Sequence, residues 1–240
     1  MERAEWLNQM RQKAEVLYDH FSSLYWVEFG LYANETHRKY LRRFLERVPP
    51  HSSLLSAACG AGRYDGMLLE AGHSVLGIDQ SDGMLARARE HFPEVTYKKM
   101  GLQEMDFREA FDGIICMDAM EHVCPEDWPG ILRRFQEALK PGAVLYFTVD
   151  LAEADEKEAA YERAKGLGLP VVFGEVADKV DEAYEQMRAL GTVPDELADA
   201  AVYHYHPSRE QVRTWVGQAA MAIDDEGTGS GYEHFVVKKR

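Results

Sequence analysis

Two clusters in this 240-residue chain combine residue types and spacing suited to chemistry. The first is Leu54-Leu55-Ser56-Ala57-Ala58-Cys59-Gly60-Ala61-Gly62-Arg63, an apolar run that ends in Gly-x-Gly before a helix-like stretch. Glycine lacks a Cβ, so the backbone there can turn sharply and let a ligand approach closely. The helix start beyond it offers unpaired N–H groups to an anion such as a carboxylate. A tight strand-to-helix turn explains the same glycines without any ligand. Asp79 stands 17 residues after Gly62, at the end of the next apolar run. An acid at this place in a nucleoside-binding α/β domain accepts hydrogen bonds from ribose hydroxyls. Its alternative role is a helix N-cap, which Ser81 or Asp82 could equally provide. The second cluster is Asp118-Ala119-Met120-Glu121-His122-Val123. Here His122, with Glu121 beside it, can take a proton from a phenol, hydroxyl or amine near neutral pH. The plainer reading is that Glu121 and His122 cap or brace the helix that follows.

Aromatic side chains crowd two further places. Tyr18, Tyr25, Trp26 and Tyr32 lie in the N-terminal region, and Tyr203-His204-Tyr205-His206 alternates before Pro207. Alternation in an extended segment puts both histidines on one face. These residues are candidates for the wall of an acceptor site, where aromatic rings would suit a ring or a methylammonium-like group and exclude water. Ordinary packing explains them as well. His204 and His206 could also ligate a metal, but no third ligand stands near them in sequence.

The elements that position these clusters follow from periodicity. Residues 1–47 read as two helices, the first with Trp6, Met10, Leu17, Phe21 and Leu24 near helical spacing, the second stopped by Pro49 and Pro50. Strand-like runs then cover 53–58, 74–79, 95–100, 113–118 and 143–149. Helical runs cover 64–71, 83–91 and 128–139, and a Lys140-Pro141-Gly142 turn precedes the fifth strand. Strands separated by helices imply parallel pairing through right-handed crossovers, hence an α/β, doubly wound sheet. Two last strands, 221–223 and 234–237, are joined by a Gly-rich turn at 227–231 and are therefore antiparallel to each other. Between them and the fifth strand, 153–165 and 178–190 look helical, and Ser208 caps a further helix carrying Val212, Trp215 and Val216. The expected division is an N-terminal helical cap (1–49), a cofactor-binding domain (50–150 and 207–240) and a mainly helical insertion (151–206) that closes over the acceptor.

Composition narrows the partners. With 46% hydrophobic and 28% charged residues the chain is ordinary globular protein. Its net charge of −14 repels phosphate backbones, which argues against nucleic acid. Residues 150–200 carry 14 acids against 5 bases, read as a solvated helical face. No apolar run approaches the roughly 18 residues of a membrane span. The start lacks the pattern of a signal peptide, and Cys59, Cys116 and Cys124 form no CxxC. The expectation is a cytoplasmic protein with reduced thiols.

The run from Leu54 to Glu90 resembles the first two motifs of class I S-adenosylmethionine-dependent methyltransferases. The match continues through Gly77-Ile78-Asp79-Gln80-Ser81, Met84-Leu85-Ala86-Arg87-Ala88, the region 95–105, Phe111-Asp112-Gly113-Ile114-Ile115-Cys116 and Leu139-Lys140-Pro141-Gly142. Three positions depart from the family: Ser56 replaces the usual acid of the first strand, Ala58 its first glycine, and Gly101 an Asp in the adenine turn. The resemblance implies a Rossmann-like, seven-stranded, mostly parallel sheet with an antiparallel last strand. It also implies S-adenosylmethionine as cofactor, S-adenosylhomocysteine as product, and in-line methyl transfer to an oxygen or nitrogen of a small molecule. Carried over, Ala58, Gly60 and Gly62 line the methionine moiety and Arg63 meets its carboxylate, a solvated Arg63 being the other reading. Asp79 holds ribose, with Gln80 beside it. Met84 packs on adenine or in the core, Gly101, Leu102 and Gln103 meet adenine, and Met117 completes the set. The stretch Asp118-x-x-Glu121-His122 further resembles quinone-biosynthesis O-methyltransferases, in which an acid-x-x-Glu-His pattern can hold a divalent cation. That reading is not the favoured one here, and no metal residue is assigned. Two rival functions remain: a cofactor-binding regulatory module without turnover, and an NAD(P)-dependent oxidoreductase. The latter's Gly-x-Gly-x-x-Gly fingerprint is broken by Asp65.

Overall fold

Apolar strands that alternate with amphipathic helices must be covered on both faces, and the computed structural model shows this arrangement. The structure describes residues 1–30, 34–177, 189 and 203–240. Strands β1 (Ser53–Ala57), β2 (Ser74–Asp79), β3 (Thr96–Lys99), β4 (Phe111–Cys116) and β5 (Leu139–Asp150) are parallel. A short antiparallel ribbon, β6 (Glu175–Val176) and β7 (His204–Tyr205), stands apart. The main sheet ends with β8 (Met221–Gly229) and β9 (Tyr232–Lys239). Its order is β3-β2-β1-β4-β5-β9-β8, and β9 runs antiparallel to both neighbours. The Rossmann-like seven-stranded sheet with an antiparallel last strand is therefore present.

The helices are α1 (Arg3–Tyr25), α2 (Glu35–Leu45), α3 (Asp65–Glu70), α4 (Asp82–His91), α5 (Trp128–Ala138), α6 (Ala154–Gly166) and α7 (Arg209–Gln218). Two apolar clusters divide the strand residues by alternation. Ile114, Leu145 and Phe147 join Trp6, Leu7, Trp128 and Phe135 in one, while Ile115, Val144 and Tyr146 join Leu41, Phe44 and Leu68 in the other. The helix α1 also docks through a polar contact. Asp19 Oδ1 accepts from the Ser81 hydroxyl (2.6 Å) and the Gly83 N–H (2.9 Å) at the start of α4. A Cβ on Gly83 would lie 2.6 Å from the Asp19 carbonyl, so glycine permits this approach. As expected from sequence, Ser208 caps α7 by accepting from Gln211 N–H.

Several boundaries differ from expectation. The glycine-rich stretch before Ser230 is strand, not turn: Gly229 pairs with Tyr232, leaving Ser230 and Gly231, both at positive φ, as a two-residue turn. Such a turn matches the strand twist, which allows longer strands. β5 begins before the Lys140-Pro141-Gly142 segment, because Leu139 already pairs with Phe111. A five-residue π-helical turn, Trp26–Gly30, extends α1. The helix expected over 178–190 and Tyr32 lie outside the described residues, apart from Ala189, which is helical.

One buried histidine gives this sheet a pH dependence. His234 Nε2–H donates to the Gly229 carbonyl (3.2 Å), so its Nδ1 accepts from the Tyr146 hydroxyl (3.0 Å). Burial, chiefly, lowers its pKa to about 4, the neighbouring His37 adding to the effect and the Gly229 bond opposing it. Between pH ~6.5 and ~4 the unfolded chain binds a proton that folded His234 refuses, so stability falls as pH drops, by up to about 3 kcal/mol. Urea unfolding at pH 7 and pH 4.5 should show a smaller drop in His234→Gln than in the wild type. Equal drops would mean that His234 titrates normally.

Candidate active site

The C-terminal ends of β1, β2 and β4 open into one cavity, the place where such sheets bind ligands. On the β1 side its wall is the end of that strand and the loop after it, residues 56–60. Gly60 has φ +53°, and a Cβ there would meet nothing within 4 Å, so the loop leaves open space beside its backbone. Ala58 lines the cavity at φ +49°, taking a left-handed conformation where glycine is favoured. Gly62 does not line it. At φ +80°, a Cβ there would come within 2.9 Å of the Tyr97 hydroxyl and 3.1 Å of Phe92. Gly62 makes the turn and the packing instead of touching a ligand.

Asp79 closes the same corner. Its Oδ2 accepts from the Gly60 N–H (2.8 Å) and its Oδ1 from the Ser81 N–H (2.9 Å). Burial raises its pKa, while the backbone N–H groups of Ser81, Gly60 and Gln80 oppose the rise. Ser81 itself caps α4, so Asp79 is not needed for that role. A carboxylate offers about four acceptor positions, so one beyond those taken by the three backbone N–H groups remains for a ligand hydroxyl. Gln80, Met84, Gly101, Leu102, Gln103 and Met117 line the cavity beside it. Met84 also belongs to the buried interior, in keeping with its reading as a core residue.

Asp118 is the polar hub. Its carboxylate accepts from His37 Nε2 (2.7 Å), the Tyr64 hydroxyl (2.8 Å), Thr148 Oγ1 (3.3 Å) and the guanidinium of Arg63. Burial disfavours its charge, but the hydrogen bonds and the charges of His37 and Arg63 outweigh this and hold its pKa below the usual range. Arg63 is consequently not a solvated helix-face residue. Its side chain is 9% exposed, it lies over the Tyr64 ring, and its buried Nε has no partner among the described residues. Neither His37 nor Tyr64 carries a sequence motif, which is why the sequence did not single them out.

His122 faces the cavity from a short 3-10 turn, Met120–His122. Its Nδ1 lies 3.2 Å from the Tyr203 carbonyl, which can only accept, so the hydrogen is on Nδ1. Nε2 then carries the lone pair and accepts from the Tyr18 hydroxyl at 3.0 Å. Glu121 points elsewhere. It is buried outside the cavity wall, its Oε2 has no partner among the described residues, and burial together with Asp118 and Asp150 pushes its pKa well up. Met120–His122 is a 3-10 turn, and among the described residues Asp118, Glu121 and His122 form no metal-ligand group.

Of the aromatic candidates, Tyr18, Tyr25 and Tyr203 line the cavity. Trp26 stacks on His91 at 3.6 Å between centroids, and Tyr205 donates to Gln211 beside Trp215, so neither reaches it. His204 and His206 are not in the wall, although the His204 ring lies 4.7 Å from that of His122. Leu7, Met10, Arg11 and Ala14 of α1 also line the cavity. Their spacing shows a second stripe on that helix, but spacing cannot say that the stripe covers a site.

Comparison with known proteins agrees with this geometry. Residues 54–142 match a family model described as a methyltransferase domain. A ubiquinone biosynthesis O-methyltransferase of Hahella chejuensis is 32% identical over 105 residues, 41% of this chain and 43% of that protein. An uncharacterized methyltransferase of Synechocystis is 30% identical over 105 residues, 43% of this chain and 49% of that protein. The chain thus spans less than half the length of these relatives. Among solved structures, the DhpI–SAH complex superposes with a TM-score of 0.69 at 14% identity, covering 95% of this chain and 96% of that one. A SAM-dependent methyltransferase from Methanosarcina mazei gives 0.64 at 16% identity, covering 81% and 95%. At such identities the superpositions speak for the fold alone, and the domain match for residues 54–142. Residues 54–142 match a methyltransferase domain, set in a fold shared with solved S-adenosylmethionine-dependent methyltransferases.

Proposed function

We propose that this protein uses S-adenosylmethionine to methylate an oxygen or nitrogen atom of a small-molecule acceptor. The observation that carries the reading is one cavity walled by Gly60 and Asp79 on one side and by His122 on another. Bound there, the cofactor supplies an already activated methyl group. Asp79 accepts from ribose hydroxyls, and Gln80, Met84 and 101–103 flank the base. Ala58, Gly60 and Arg63 border the methionine end. The protein's task is alignment, exclusion of water and removal of one proton. His122 Nε2 takes that proton, while the Tyr203 carbonyl holds the ring in the right tautomer. Tyr18, Tyr25, Met10 and Tyr203 form an aromatic and apolar wall that suits a ring-bearing acceptor. In this reading Tyr203 covers the acceptor side, and the ubiquinone biosynthesis relatives favour oxygen over nitrogen.

Thermal unfolding with S-adenosylmethionine, S-adenosylhomocysteine and NAD(P)H in parallel tests the cofactor. At about 100 times its dissociation constant a ligand stabilises the native state by roughly 2.7 kcal/mol, a shift of a few degrees. The adenosyl compounds should produce it, NAD(P)H should not, and Asp79→Ala should abolish it. No shift with either adenosyl compound would overturn the reading.

A further inference from the structure

The C-terminal end of β5 carries Asp150, and the β6–β7 ribbon brings His204 and His206 to it from a distant part of the sequence. One ligand atom from each, a carboxylate oxygen and two imidazole nitrogens, lie within 4.8 Å of one another. The third ligand that sequence proximity did not supply is thus supplied by the fold. His206 is buried, Asp150 and His204 half-buried. His206 Nδ1 stands 3.1 Å from the Asp150 carbonyl and 3.8 Å from Asp150 Oδ2. A carbonyl only accepts, so the hydrogen is on Nδ1 and the lone pair on Nε2. Metal-bound histidines hold their tautomer in this way, through a backbone carbonyl.

We propose that Asp150, His204 and His206 bind one divalent transition-metal ion of the zinc class. Two imidazoles and one carboxylate suit zinc, cobalt or iron better than magnesium or calcium, which prefer oxygen alone. Zinc sits about 2.0–2.2 Å from such ligands, and atoms this close need only side-chain rotation to share an ion. Three protein ligands leave a coordination position open. The ion ties β7 to the end of β5, behind the His204 ring that neighbours His122. It is distinct from the Asp118, Glu121 and His122 set, and it goes beyond the proposed methyl transfer, which does not require it.

The test is metal binding by the full chain after chelation and dialysis. Titration with Zn²⁺ should show one ion per chain with a Kd of about 1 µM or below, and Co²⁺ should give the visible spectrum of a nitrogen- and oxygen-ligated ion. Asp150→Asn and His204→Gln should each weaken binding at least about tenfold, while His20→Gln, an exposed histidine on α1, should bind as the wild type does. Circular dichroism of the metal-free variants shows which of them folds, and His206→Gln serves if either does not. No stoichiometric Zn²⁺ uptake, or uptake unchanged in the folded variants, overturns the proposal. Binding is read without any methyl transfer, so failure here and failure of the cofactor test are separate results.

Discussion

Replacing His122 by Gln is expected to lower kcat about 10²–10⁴-fold with any accepted acceptor, leaving KM within a few-fold. The expectation rests on geometry. The Tyr203 carbonyl orients the ring, so Nε2 presents its lone pair to the cavity, where the Tyr18 hydroxyl marks the position an acceptor hydroxyl or amine would take. Glutamine keeps much of the volume but cannot accept a proton at neutral pH. The readout is the initial rate of S-adenosylhomocysteine release over a panel of phenols, alcohols and amines, taken as a pH profile. Loss of His122 should flatten the acid limb of that profile, whereas a merely structural histidine would change rates without changing its shape. Tyr18→Phe, which removes only the hydroxyl on Nε2, should stay within a few-fold of wild type. An unchanged kcat in His122→Gln would exclude it as the base.

Asp118→Ala should destabilise the fold by roughly 3–5 kcal/mol, the penalty for leaving a buried charge without its partner. Arg63 is that charge, with His37 and Tyr64 losing their acceptor as well. The contrast with the exposed pair Arg87–Glu90 is instructive, since surface pairs contribute at most about 1 kcal/mol. The backbone adds to the loss. Asp118 has φ +52°, a left-handed conformation that Asp tolerates better than Ala. Asp118→Asn keeps hydrogen-bonding capacity without the charge and should fall between. The pH dependence has a definite sign. Because the folded pKa is depressed, Asp118 contributes fully above its unfolded value of about 3.9, and the contribution is lost as pH falls through the folded pKa. Urea unfolding across acid pH measures both effects. A loss below about 1 kcal/mol in Asp118→Ala would show that the Arg63 pair is screened by solvent.

The two halves of the cofactor-side site differed in how openly the sequence displayed them. Gly60 and Asp79 were readable because a strand, a glycine turn and an acid ending the next strand are local features, each tied to one backbone requirement. Gly62 had the same residue type but a different duty, since only the packing of Phe92 and Tyr97 against it reveals why a Cβ is excluded there. Ser81 and Asp79 were alternatives for one cap, and the hydrogen bond from Met84 N–H assigns it to Ser81. Arg63 was ambiguous because its environment is Asp118, 55 residues away.

What the sequence determined by itself was the order of elements. Apolar runs, glycine and proline punctuation and capping residues act within a few residues of chain, so they specify β1 to β5, the helices between them and the parallel sheet they must form. What only the tertiary structure decided was which distant side chains meet. His37, Tyr64 and Thr148 converge on Asp118, α1 contributes a cavity wall, Glu121 turns away while His122 turns in, and Asp150 joins His204 and His206. These are consequences of crossovers and of alternation across the sheet. A shift of one residue in a strand reverses which face a side chain occupies, and no local pattern encodes that choice for residues brought together from separate elements.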